Sequence, residues 1–264
     1  MPMKIRAAAL LLSAFAAGPA FAASPFDGTW KADLSTLQMP QKPDVFSVRN
    51  GVYTCESCVP RVEVPADMAS HPVTGHPYYD RIAIRVVDDR TIRIAQRLKG
   101  KLMFVGEQKV SPDGKTLTFA FRDMGSPSGK VVTGRGVEHR VGPAPAGAHA
   151  VSGSWKPERV QDVSEAGLTV SFRMAGDTLH MQAPTGESYD ARIGGPPVPI
   201  QGDPARTMAA VTRLSANSLQ ETDTRDGKVV NVLTMTAEPG GRVLDFRWED
   251  RIHGTVQSYK ARKQ

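Results

Sequence analysis

Only two cysteines occur in the chain, Cys55 and Cys58, which excludes a disulfide-stapled scaffold and leaves apolar burial to hold the fold. Beyond the first 22 residues no apolar run is long enough to cross a hydrocarbon layer of roughly 30 Å, which excludes a bundle of membrane-spanning helices. Apolar residues at helical spacing over three turns are also missing there, and without helical crossovers a parallel sheet cannot be built. The formal charge is +6, yet it is gathered into no Lys/Arg cluster and no basic helix. A mild excess of this kind reads as solvated surface and excludes nucleic acid as the expected partner, leaving open only weak attraction to an anionic envelope surface. No Gly-rich phosphate loop opens a helix, no Gly-x-Ser-x-Gly elbow occurs and no His-Glu-x-x-His is present. Nucleotide hydrolysis, serine esterase and zinc protease chemistry therefore find no support.

What is present begins with an export signature. Lys4 and Arg6 precede an apolar run from Ala7 to Ala17, and Ala20-Phe21-Ala22 supplies a small-residue cleavage site. Residues 1–22 are expected to be a signal peptide cut after Ala22, and eleven apolar residues are too few for an anchor. The mature protein is expected to be soluble, without a transmembrane segment, and periplasmic or secreted.

The rest of the chain is one unit written twice. Shifted by 127 positions, Gly75, Pro77, Gly100, Lys101, Gly114 and Phe119 fall on Gly202, Pro204, Gly227, Lys228, Gly241 and Phe246. Several of these are turn positions, where the backbone dictates the residue. Gly28-Thr29-Trp30-Lys31 ahead of the first copy answers to Gly153-Ser154-Trp155-Lys156 ahead of the second. Two copies are too few for a solenoid, so the expected division is 23–141 for the first unit, a Pro/Ala/Gly linker at 142–150, and 151–264 for the second.

Within the copies the apolar period is two. Ile82, Ile84 and Val86 alternate with Arg81 and Arg85, and Leu117, Phe119 and Phe121 alternate with Thr116, Thr118 and Ala120, the pattern of half-buried strands. Asp113-Gly114 and Asp226-Gly227 supply hairpin turns. The expected fold is all-β, with roughly eight antiparallel strands per copy. A sheet of that size leaves open edges unless it closes; two barrels are therefore preferred, with two β-sandwiches as the alternative.

Gly28-x-Trp30 and Gly153-x-Trp155, each opening a copy whose last strand ends in Arg (Arg140 and Arg262), resemble the lipocalin pattern. That resemblance implies a Trp plugging the barrel floor with an Arg packed across its ring, a contact worth roughly 0.5–2 kcal/mol. The mature chain also resembles a group of exported bacterial proteins, through the Gly-Thr-Trp-Lys start, Lys42-Pro43-Asp44, the Tyr53-to-Cys58 segment, Gly75-His-Pro-Tyr-Tyr-Asp80 and the Asp-Gly-Lys hairpins. It implies architecture and export, and no particular activity.

Cys55 and Cys58 are expected to close a small disulfide that fixes a local bend. A thiol oxidoreductase would have such a pair open a helix, whereas strand-like Tyr53-Thr54 leads in and Val59-Pro60 leads out. His71 and His76 could complete a zinc set, but at no standard spacing, so neither metal nor cofactor is expected. His76, Tyr78, Tyr79 and Asp80 form a candidate polar patch at a pocket mouth; the second copy keeps the Gly and Pro around them and loses the rest. Asp80 shares the phase of Ile82 and Ile84. Arg135 and His139 share that of Val131 and Val137, so a trio of Asp80, Arg135 and His139 would enter one cavity if those faces point inward. If instead Val132 and Arg140 face inward, Arg135 and His139 meet solvent. The second copy looks drier, a filled barrel supporting the first.

The expected function is capture of a small, mostly apolar or aromatic molecule in a barrel cavity, in the first copy, with Tyr78, Asp80, Arg135 and His139 as ligand contacts. The alternative is a cofactor-free lyase, isomerase or hydrolase using His76 or His139 as base beside Tyr78 or Tyr79.

Overall fold

The computed structural model describes residues 24–264; the expected signal segment lies outside them. The strands of the N-terminal half are β1 (Gly28–Gln38), β2 (Asp44–Arg49), β3 (Val52–Cys55), β4 (Val62–Pro65), β5 (His71–Pro72), β6 (Arg81–Asp88), β7 (Thr91–Leu98), β8 (Lys101–Val110), β9 (Thr116–Asp123) and β10 (Val132–Val141). Those of the C-terminal half are β11 (Gly153–Val163), β12 (Thr169–Ala175), β13 (Thr178–Gln182), β14 (Ser188–Arg192), β15 (Val198–Pro199), β16 (Met208–Ser215), β17 (Ser218–Arg225), β18 (Lys228–Ala237), β19 (Val243–Asp250) and β20 (Thr255–Lys263). The single helical element among the described residues is a 3-10 turn at Glu165–Gly167. The fold is therefore all-β, as the period of two requires.

The strands form two ten-stranded antiparallel sheets, each curled into a nearly closed barrel. In the first, a bridge between Asp67 and Arg85 and the bond from Met68 N to Ile84 O (2.9 Å) bring the chain beyond β4 back onto β6. In the second, Ser188 bridges to Gln201, just past β15. Closure of this kind leaves little unpaired edge.

The two barrels exchange their first strands. β11, which opens the second copy, pairs with β10 and β2 in the first sheet, while β1 pairs with β12 and β20 in the second. The spatial units thus depart from the expected division at 142–150. Residues 142–152 form the loop of a β10–β11 hairpin, and the chain crosses between barrels at 39–43 and 164–168. Pro40 and Pro43 bias the residues before them towards extended backbone, so the first crossing runs on to the other barrel instead of turning back. The first barrel is one continuous stretch, β2 to β11; the second is β12 to β20 completed by β1.

The two cores follow the same partition. Trp30 and Phe26 are buried with Phe172, Leu179, Met235, Leu244 and Phe246 in the second barrel, and Trp155 and Val151 with Phe46, Ile84, Ile92 and Leu117 in the first. Each indole N–H donates to the carbonyl four residues earlier, Trp30 to Phe26 (2.8 Å) and Trp155 to Val151 (2.7 Å). A cation does cover each ring, but from a crossed partner. Arg140 stacks at 4.0 Å on Trp155, its cross-strand neighbour in the exchanged pair. Lys263, not Arg262, stands 5.5 Å over Trp30; Arg262 bonds Asp33 at the surface. The glycine of each Gly-x-Trp has a double reason. Gly28 and Gly153 sit at φ +132 and +136, and a Cβ there would come within 2.5 Å of Lys263 Cε and 2.6 Å of Arg140 Nη1, so a side chain would displace the covering cation.

Candidate functional site

A cavity of about 520 Å³ occupies the inside of the second barrel. Its apolar wall is Val170 and Phe172 of β12, Met181 of β13, Ile200, Leu233 of β18, Phe246 and Trp248 of β19, and Tyr259 of β20. Tyr78, Gln96, Phe104, Asp123, Ser126 and Val132 of the first barrel's rim complete it. The Gly125–Gly129 loop holds that roof in place. Ser126 Oγ and Ser128 N donate to Thr185 O (2.5 and 2.9 Å), and Ser128 Oγ donates to Pro184 O (3.1 Å).

The polar end of the cavity is built by β17. Leu219 is fully buried in the core, and the period of two puts Glu221 and Asp223 on the same inner face, 6% and 4% exposed. Cross-strand, Glu221 meets Leu233 and Asp223 meets Asn231. Tyr189 of β14 donates its hydroxyl to Glu221 Oε2 (2.6 Å), and Asn231 Nδ2 donates to Asp223 Oδ2 (3.4 Å). Asp223 Oδ1 has no partner. Burial raises the Glu221 carboxyl to about 8, and the charge of Asp223 adds to it. Burial likewise raises Asp223, and it pushes the Tyr189 phenol well above its usual range. Two desolvated carboxyl groups side by side cannot both ionise cheaply, so the pair retains a proton near neutral pH.

Arg225, at the end of the same strand, donates from Nη2 to Tyr78 OH (3.1 Å) and to Thr207 Oγ1 (3.2 Å), with its guanidinium 5.4 Å from the Tyr78 ring centre. These contacts tie the first barrel to the mouth of the second. Burial raises the Tyr78 phenol, and the Asp203 charge raises it further.

Of the candidate site residues named from the sequence, Tyr78 alone reaches this cavity. Tyr79 turns the other way, stacks on His76 at 4.6 Å between ring centres and packs against the first core; burial pushes its phenol up to about 12. Asp80 Oδ2 accepts the Lys99 N–H (2.8 Å), tying down the β7–β8 turn. Arg135 and His139 are exposed on the outer wall, Arg135 paired with Asp162. On β10 the inward phase belongs to Val132, Gly134, Gly136, Glu138 and Arg140, so Asp80, Arg135 and His139 do not converge. The two glycines are where the Phe119 and Phe121 rings lie: a Cβ at Gly136 or Gly134 would fall 2.4 or 2.6 Å from them. Aromatic rings thus take up space in the first barrel that the second leaves open, the reverse of the expected assignment. A hollow of about 510 Å³ on the first barrel is lined mainly by Ala83, Arg85, Arg93, Ala95, Val105, Glu107, Ala120 and Arg122. These alternate with the core residues Ile82 and Ile84, which places the hollow on the outer wall. Cys55 and Cys58 are disulfide-bonded, as expected.

Glu221 and Asp223 were missed although a signal existed. Leu219-x-Glu221-x-Asp223 places both acids in the phase of a core leucine, and the repeat offset matches them to Ile94 and Gln96. Fold and site together define a two-barrel all-β protein with an acid-bearing cavity in one barrel, closed by the rim of the other. No protein-family model, curated protein or solved structure matches the chain.

Proposed function

We propose that the protein is an exported, lipocalin-like binder that holds a small, mostly apolar molecule inside its second barrel. The cavity of about 520 Å³ carries this reading, because its volume and its mix of aromatic wall and few convergent polar groups suit a small ligand. The Gly-x-Trp pairs, the residue 1–22 signature and the Cys55–Cys58 disulfide support the class and the compartment. The test is titration with N-phenyl-1-naphthylamine, whose fluorescence rises on entering an apolar site. The native protein binds it, and Met181→Trp, which fills the cavity from β13, weakens binding by roughly tenfold or more while the fold survives. A native protein that leaves the dye dark, or a variant that binds it equally well, refutes the proposal.

A further inference from the structure

Resting on that proposal, we infer that the ligand of the second barrel is an organic cation: one positively charged nitrogen on an apolar or aromatic body. The ionisable groups along the cavity are one-sided. Asp123, Glu187, Asp203, Glu221 and Asp223 line it, and no Lys, Arg or His does. The chain as a whole carries a formal +6, so this acidity is not inherited from composition.

The five acids are not equivalent. Asp123 accepts Gly125 N (2.7 Å), Asp203 accepts Ala205 N and Thr207 N (3.1 and 2.9 Å), and Glu187 accepts the Thr185 hydroxyl. Those three are occupied with local loop geometry. Asp223 differs: it is only 4% exposed, it lines the cavity, and apart from the proton it shares with Glu221 its Oδ1 has no partner in the protein. A buried carboxylate oxygen without a donor is costly, and a donor delivered by the ligand removes that cost.

Neighbouring charges agree. Arg225 is the cation whose charge acts on Asp223; its Nη2 is spent on Tyr78 and Thr207, its buried Nε has no partner, and it stands at the mouth without lining the cavity. Glu221 is held by Tyr189, and a cation beside Asp223 would favour ionisation of the carboxyl pair. The body of the ligand would lie among Phe172, Phe246, Trp248 and Tyr259, whose ring faces favour a cation as well as an apolar surface. An anion entering the same space would meet the dyad with no base in the cavity wall, Arg225 standing outside it at the mouth.

Three ligands of one shape separate the outcomes: 1-naphthylmethylamine, 1-naphthylmethanol and 1-naphthylacetate, titrated calorimetrically into the full-length mature protein at pH 7. The amine binds at least roughly tenfold more tightly than the alcohol, the acetate more weakly than both, and the preference disappears in Asp223→Asn while alcohol binding is kept. Glu221→Gln, which leaves Asp223 in place, retains part of the preference and serves as the second variant should Asp223→Asn not fold. If the alcohol binds as tightly as the amine, and Met181→Trp abolishes both, the cavity is a ligand site and the inference about charge is overturned. If none of the three binds and the neutral dye also fails, the binding function itself falls, and this inference with it.

Discussion

At the scale of single residues, two buried glutamates set an unusual pH dependence. Glu221 in the second barrel and Glu138 in the first are each raised by burial from 4.5 to about 8. Between those limits the folded chain holds protons that the unfolded chain has released. Stability contributed by these groups is therefore full below about pH 4.5 and is lost as pH rises towards 8. Asp33, Asp67 and Asp113 act in the opposite sense. Hydrogen bonds to Ser35, His71 and Ser111 respectively are the leading cause of their lowering, so what they contribute is lost as pH falls through their depressed range. The ligand-free protein is expected to melt highest on the acidic side of neutrality and to lose melting temperature steadily from pH 5.5 to 8.5. Glu221→Gln should flatten that slope and raise the melting temperature at pH 8. Thermal scans across the range check this, and a slope equal to that of the native protein would remove Glu221 as its source. These acids were legible in outline. Alternation with Leu219 places Glu221 and Asp223 on the inner face, but Ser218–Arg225 carries few apolar residues to mark it as a core strand, and periodicity alone does not reveal a cavity.

At the scale of elements, the closing pairs of strands carry the Gly-x-Trp motifs, and the two closures are unequal. Where β10 meets β11, Arg140 stacks on Trp155 and also donates to three carbonyls, those of Gly114, Ser152 and Ala150, each at 2.6 Å. Where β20 meets β1, Lys263 lies at 5.5 Å over Trp30, and a point charge replaces the planar fork. Arg140→Met keeps the stem and leaves three acceptors without their donor, with an expected cost of about 2–4 kcal/mol. Lys263→Met should cost less than about 1 kcal/mol, as a single loose cation–π contact does. Urea unfolding of both variants decides it; equal losses would mean that the arginine's carbonyl bonds contribute nothing beyond the ring contact. The repeated Trp and the cation Arg140 were visible in the sequence, whereas the expected Arg262 gives way to its neighbour Lys263. Which Trp each cation covers was not visible, because β1 and β11 carry nearly the same motif and either could complete either barrel.

At the scale of the whole molecule, the exchange makes one barrel contiguous and the other dependent on a distant strand. Every residue of the first core, from Phe46 to Trp155, lies within 44–163. The second core needs Phe26 and Trp30, separated from β12 by the entire first barrel. A fragment spanning 40–163 is therefore expected to fold alone and melt cooperatively, whereas 24–141, the first unit expected from the sequence (23–141) less its first residue, lacks β11 and exposes the slot of Trp155. Losing a buried Trp alone costs about 3–5 kcal/mol, a large fraction of what a domain of this size has in reserve. By the same logic 151–264 should fail alone, and appending 24–38 after residue 264 should rescue it. The geometry permits that fusion, since Gln264 N already donates to Thr29 O at 2.9 Å. Near-UV circular dichroism and thermal melting of the four fragments distinguish the exchanged arrangement from the unexchanged one. Cooperative folding of 24–141 together with failure of 40–163 would mean that each copy keeps its own first strand, and the cavity, whose roof depends on how the two barrels are joined, would have to be rebuilt from that starting point.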